Sequence, residues 1–205
     1  MQVHASFRLL PATVPAVILA AVLAGCATPV TNLPNAGVPV AAYRDTIDLS
    51  GKLAVDYQKD GPQHLNAPFT WTQRADNIDV ELFGPLRQTA ALIKVTPQSA
   101  TLTLSDGKPR VARDIDTLTA QALGWSLPVS GLRHWLQGHA TDAQGKPFTA
   151  SPANNHVVTR DGWRLRFVDW QRGAAVPMPR RIEAARSAGA AGEDLAITIL
   201  LDPAS

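Results

Sequence analysis

A single cysteine in 205 residues leaves no partner for an intramolecular disulfide, and a chain of this length can bury a core without one. Charge of one sign is missing too. The 19 basic and 17 acidic side chains leave a formal net charge of +2, which gives no basic field for nucleic acid. The 16 prolines and 14 glycines are dispersed rather than repeated, against collagen-like or low-complexity disorder and for a loop-rich globular domain. The sequence contains no GxxxxGK[ST], no GxGxxG after a strand, no CxxC and no GxSxG, so the common phosphate, redox and nucleophile signatures are lacking. His4, His64, His134, His139 and His156 show no zinc-type spacing and read as surface or satisfied histidines. Asp114 and Asp116 form the closest acidic pair near a helix, which a helix cap and a solvated first turn explain better than acid/base work. These patterns single out no catalytic residue, metal ligand or cofactor, and leave an enzyme unsupported but open. Aromatics make up only 6% of the chain, yet five of them are tryptophans.

Residues 1–25 carry no acidic residue, one arginine (Arg8) and an apolar run from Val14 to Ala24, too short and weakly flanked for a spanning helix and suited to a secretory signal. The run ends in Leu23-Ala24-Gly25-Cys26, similar to the lipobox of bacterial lipoproteins, and the only cysteine stands there. Small residues before the cut let an extended backbone enter a narrow protease cleft, and the thiol supplies the nucleophile for a thioether to diacylglycerol. The plainer alternative is an ordinary secretory signal with a chance cysteine. Two or more acyl chains on Cys26 would anchor the chain stably. Ala27, in place of aspartate, fits sorting to the outer membrane by the rules this resemblance brings. Residues 26–42 read as lipidated N-terminus and tether, and residues 43–205 as a water-soluble domain facing the periplasm.

In that domain Ile47, Leu49, Leu53, Val55 and Tyr57 alternate with polar neighbours, the pattern of a half-buried strand. The alternation returns at Phe69 and Trp71, at Ile78 to Leu82, at Ala91 to Val95, at Ala100 to Leu104, and a second group of strands follows after Gly145 at His156 to Arg160, at Trp163 to Phe167, around Ile182 and at Leu195 to Leu201. Turn residues such as Asp76-Asn77, Gly84-Pro85 and Asp106-Gly107 separate these runs, as in an antiparallel meander. Between the two groups the period changes. Ile115, Leu118, Ala122 and Leu123 share a helical face that Asp114 can cap and Gly124 can end. A second helix is predicted from Ser130 to Gln137, with Leu132, Trp135 and Leu136 inward. The expected fold is mainly β: an antiparallel, strongly curved incomplete β-barrel of about eleven strands with a short helical lid insertion.

Trp71, Trp125, Trp135, Trp163 and Trp170 then need an account. Large apolar rings suit the wall of a cavity for hydrocarbon, since each buried methylene contributes about 0.8 kcal/mol and a sixteen-carbon chain about 12 kcal/mol. They equally suit an ordinary core. A second outlier is Leu86, which Gly84-Pro85 places at or beside a hairpin tip; a bare leucine there either probes a membrane or folds back on its own hairpin.

Several segments together resemble the LolB family of outer-membrane lipoprotein receptors: Gly51-Lys52-Leu53-Ala54-Val55, Phe69-Thr70-Trp71-Thr72-Gln73, Gly84-Pro85-Leu86, Leu123-Gly124-Trp125-Ser126-Leu127-Pro128, Leu132-Arg133-His134-Trp135-Leu136-Gln137-Gly138, Trp163 to Trp170, and Pro177-Met178-Pro179-Arg180. The resemblance implies a non-enzymatic, lipid-anchored receptor in the outer membrane that accepts acylated lipoproteins from the periplasmic carrier LolA and inserts them into outer-membrane lipid. It makes Cys26 the lipidated anchor, Leu86 the membrane-inserting residue, and Trp71, Trp125, Trp135 and Trp163 residues of the acyl-chain cavity or its lid. Trp170 faces outward by strand parity. Arg87 stands where the family pattern favours a small residue, and an arginine there suits anionic head groups. A monomer is expected. The alternative from another class is a structural or scaffold lipoprotein whose apolar face is all core.

Overall fold

The computed structural model describes residues 36–58, 61–187 and 194–203; the predicted signal segment 1–25, Cys26 and most of the tether lie outside the described residues. In chain order the elements are β1 (Thr46–Gln58), β2 (Pro62–Arg74), β3 (Asn77–Phe83), β4 (Thr89–Val95), β5 (Ala100–Leu104), β6 (Pro109–Ala112), α1 (Ile115–Leu123), α2 (Val129–Trp135), β7 (His139–Thr141), β8 (Pro147–Thr149), β9 (His156–Val158), β10 (Arg164–Trp170), β11 (Pro179–Arg186) and β12 (Leu195–Leu201). Ten strands form one sheet in the order β6-β5-β4-β3-β2-β1-β12-β11-β10-β9, and β7 pairs with β8 apart from it. Each described pairing is antiparallel. The meander read from the alternating residues is therefore present, as two runs of neighbours that meet where β1 pairs with β12.

Period-two patterning decides which face is buried. Ile47, Leu53 and Val55 of β1, Phe69 and Trp71 of β2, Ile78, Val80 and Leu82 of β3, and Ile197, Ile199 and Leu201 of β12 all belong to one apolar core. The opposite face carries Asp48, Lys52, Asp56 and Arg74, with Arg74 Nη2 2.7 Å from Asp48 Oδ2.

The expectation of a strongly curved incomplete barrel is overturned. The sheet is open, is not closed into a barrel and is not strongly curled, and β6 and β9 end it without pairing to each other. Strong curling needs repeated bulges or glycine kinks along the strands. Here the irregularities of register are confined to Leu82/Phe83 and to Phe167–Trp170. The apolar face is covered instead by the segment between the two edges, which runs through α1, α2, β7 and β8. The count of about eleven strands agrees with the twelve found among the described residues; β6, β7 and β8 are three or four residues long, too short for a period-two signal to stand out.

Gly51 shows why one strand lacks a side chain on the buried face. A Cβ there would lie 2.2 Å from the carbonyl oxygen of Leu200 on the paired strand β12, closer than any real Cβ contact. Gly51→Ala is expected to destabilise the protein by about 1–3 kcal/mol through spreading of the β1–β12 pair, measurable as a shifted urea midpoint; an unchanged midpoint would show that the seam has slack.

Candidate functional site

The two helices are set by local chemistry. Asp114 caps α1 by accepting from the N–H groups of Asp116 and Thr117, both at 3.1 Å, and Gly124, at φ 81°, ends it while its N–H donates to Ala120 O. The predicted first helix is thus found between its predicted caps. The second begins one residue earlier than predicted and ends at Trp135. No side chain of its own N-cap residue, Pro128, satisfies its first turn. Asp116 of α1 does so instead, accepting from Ser130 N–H at 3.2 Å and from the Ser130 hydroxyl, with its negative charge at the favourable end of the α2 dipole. Between the helices, the buried Thr119 hydroxyl donates to Asp116 O at 2.9 Å and accepts from Leu127 N–H at 3.1 Å. The pair is joined by hydrogen bonds as well as by the chain.

This linkage aims Leu127, Leu132 and Leu136 at the sheet. With Leu53, Phe69, Trp71, Val80, Leu82 and Ile199 they line a wholly apolar crevice of about 20 Å³, room for roughly one water-sized molecule. Polar contacts hold the other side of α2. Tyr43 Oη accepts from Gln73 Nε2 at 2.6 Å and from Arg133 Nε at 3.3 Å, and Gln137 accepts from Arg44 N–H at 2.9 Å and donates to Arg44 O at 3.0 Å. The segment before β1 therefore straps α2 down. Sequence reasoning missed Tyr43, Gln73, Arg133 and Gln137; the available signal was the i,i+4 spacing of Arg133 and Gln137 beside the apolar face of Leu132, Trp135 and Leu136.

Trp71, Trp125, Trp135 and Trp163 are all buried, but they are not one wall. Trp71 alone lines the crevice, and its Nε1 is buried without a hydrogen-bond partner. Trp135 and Trp163 meet edge to face at 5.6 Å, with the Arg186 guanidinium 4.7 Å from the Trp163 ring. Trp125 sits 6.0 Å from Tyr57. Trp170, outward by simple parity, is half-buried with its ring 6.4 Å from Phe167, because the bulge between Phe167 and Trp170 shifts the alternation.

Leu86 does not fold back: it stands at the β3–β4 hairpin tip with 89% of its surface exposed. A larger open trough of about 480 Å³ lies at another place, beside Asp56, His64, Arg164 and Arg186. Its rim carries charged side chains, with His64 Nδ1 2.6 Å from Asp56 Oδ1, unlike the wholly apolar crevice under α2. Among the described residues no cluster of three or more His, Cys, Asp or Glu could hold a metal ion, and no helix is long and apolar enough to cross a membrane.

Comparison with known proteins bears on this arrangement. Residues 45–203 match the family described as LolB, outer membrane lipoprotein LolB. The chain belongs to the LolB family. The outer-membrane lipoprotein LolB of Cupriavidus necator is 39% identical over 158 residues, 75% of this chain and 78% of its own length. That of Cupriavidus pinatubonensis is 33% identical over 190 residues, 88% of each. Among solved structures, a LolA superfamily protein of Nitrosomonas europaea is similar with a TM-score of 0.46 and 7% identity, over 81% of this chain and 89% of the other. Membership in the LolB family supports a lipoprotein transport role at the outer membrane, without catalysis.

A pH dependence follows from His134 on α2. Burial first, then the charges of Arg133 and His139, hold its pKa below the usual imidazole value, and its ring lies 4.8 Å from Tyr43. The folded protein therefore resists the proton that the unfolded chain accepts, and stability is lost as pH falls below about 6.5. Thermal melts at about pH 7.5 and 5.5 should show a lower Tm at the acidic value, with a smaller drop in His134→Gln; an equal drop in the variant would assign the effect to other groups.

Proposed function

We propose that this chain is a receptor that accepts acylated lipoproteins from the periplasmic carrier LolA between its helical pair and its sheet, and inserts them into the outer membrane. The observation that carries this reading is the crevice under α2, lined on every side by apolar residues of β1, β2, β3, β12 and the helical segment. In this proposal residues 1–25 are a signal removed on export, Cys26 is the lipidated anchor, residues 26–42 are the tether and residues 43–205 bind the acyl chains. Trp71 forms the floor of the site, while Trp125, Trp135 and Trp163 brace the lid, and Leu86 enters the bilayer.

The energetics favour a handover without fuel. A lipoprotein with two or three acyl chains would expose roughly 25–35 kcal/mol worth of hydrocarbon to water, so the chains must pass from one apolar site to the next. Lifting Leu127, Leu132 and Leu136 off the sheet uncovers apolar surface worth about 1.5–3 kcal/mol per side chain. An entering chain covers that surface again, so opening is offset, and because the chain's hydrocarbon is covered in carrier, receptor and bilayer alike, only the difference between these apolar sites counts. Modest retention is what release into a bilayer requires, each tenfold preference needing only about 1.4 kcal/mol.

The small volume of the crevice, about 20 Å³, favours a second reading in which the apolar face is all core and the chain is a structural lipoprotein of the outer membrane. Transfer separates the two. Full-length lipidated protein in vesicles should take a labelled lipoprotein from LolA; folded protein that takes none sinks the receptor reading. In the same assay Leu86→Glu should receive normally but deliver about tenfold more slowly or worse, and unchanged delivery would remove Leu86 from the mechanism.

A further inference from the structure

The β3–β4 tip that carries Leu86 is built more tightly than an exposed loop requires. Gly84 N–H donates to Gln88 O at 2.8 Å, and Arg87 N–H donates to Gly84 O at 2.9 Å. The Gln88 side chain folds under the turn, where its Oε1 accepts from Leu86 N–H at 3.0 Å. That position is open only because residue 84 is glycine, since a Cβ there would lie 2.5 Å from Gln88 Nε2. Leu86 is thus presented on a turn whose free amides are satisfied from within.

Arg87 sits in this tip at φ 60°, one of two non-glycine residues with positive φ among the described residues, a conformation that glycine or asparagine adopts with less strain. Its guanidinium makes no hydrogen bond or ion pair with the described residues, so nothing in the fold compensates for placing an arginine there. By strand register the β5–β6 turn lies at the same end of the sheet. There Asp106 is paired with Arg110 at 2.7 Å, while Lys108 is unpaired among the described residues. The tip therefore joins one exposed leucine to unneutralised cations, and the chemistry that matches both is an acyl layer under anionic head groups.

We propose that Arg87 is a lipid-binding residue that grips the phosphate of an anionic phospholipid while Leu86 enters the acyl layer, and that Gln88 is a positioning residue that holds the two in register. The proposal rests on the receptor reading and adds a lipid preference to its delivery step. Arginine suits this role because its planar fork can meet two phosphate oxygens at once, and a cation near an anionic surface gains roughly a fivefold preference.

The test uses full-length lipidated protein reconstituted in vesicles of phosphatidylcholine alone or of equal parts phosphatidylcholine and phosphatidylglycerol. Its readout is delivery of a labelled lipoprotein. Wild type should deliver about fivefold faster into the anionic vesicles, and the ratio should fall toward one in Arg87→Gly and Arg87→Asn and be partly kept in Arg87→Lys. Gln88→Ala should slow delivery into both vesicle types. Arg87→Gly should also melt above wild type, since glycine relieves the backbone. Neutral variants that keep the wild-type ratio would overturn the proposal, as would variants whose defect lies in receipt from LolA, which would assign Arg87 to the carrier. Leu86→Glu in phosphatidylcholine alone tests the underlying reading separately: delivery unchanged there would remove Leu86 while leaving the anionic ratio to judge Arg87.

Discussion

An open sheet with one apolar face has to keep that face from water, and here two helices of nine and seven residues do much of the covering. Helices so short are marginal on their own. The carboxylate of Asp116 is what makes them one unit: it lies in the first turn of α1 and supplies the acceptor that the first turn of α2 lacks. Burial raises its pKa, while its hydrogen bonds from Ser130 favour the charged form, so the group is held between two opposing demands. Together with the Thr119 hydroxyl, it gives Leu127, Leu132 and Leu136 their bearing on Trp71 and Phe69.

That unit is held to the sheet in two different ways. One side is a greasy contact with no directional bonds; the other is the strap of Tyr43, Arg44, Gln73, Arg133 and Gln137, where distances and angles matter. The two contacts therefore differ in kind as well as in place. Apolar contacts exchange readily for other apolar contacts, whereas the strap's hydrogen bonds, part-buried at Tyr43 and exposed between Arg44 and Gln137, depend on direction.

Much of this was legible in residue order. Alternation marked the long strands and their buried faces, and Asp114 and Gly124 marked the ends of α1, because periodicity and capping are local properties. Curvature is not local. The same alternation serves an open sheet and a curled one, so Leu53, Trp71 and Val80 could announce an inward face without saying how far the sheet would bend. The bulge that turns Trp170 toward Phe167 and the strap on Tyr43 depend on partners distant in sequence. The tryptophans were recognisable as buried, yet only the structure separates Trp71 in the crevice from the Trp135–Trp163 pair and from Trp125 beside Tyr57.

The two unpaired ends of the sheet carry a further consequence. Among the described residues β6 and β9 have a strand partner on one side only, apart from an isolated bridge of Asp142 to Thr159 beside β9, and Val111 and Val158 add exposed apolar surface, a combination that can template the addition of foreign strands. Both strands are short, four and three residues long, and β6 begins with Pro109, which has no amide hydrogen to offer. A passing extended polypeptide would find too few consecutive bonds to stay. At its described backbone edges the sheet is a poor seed for amyloid.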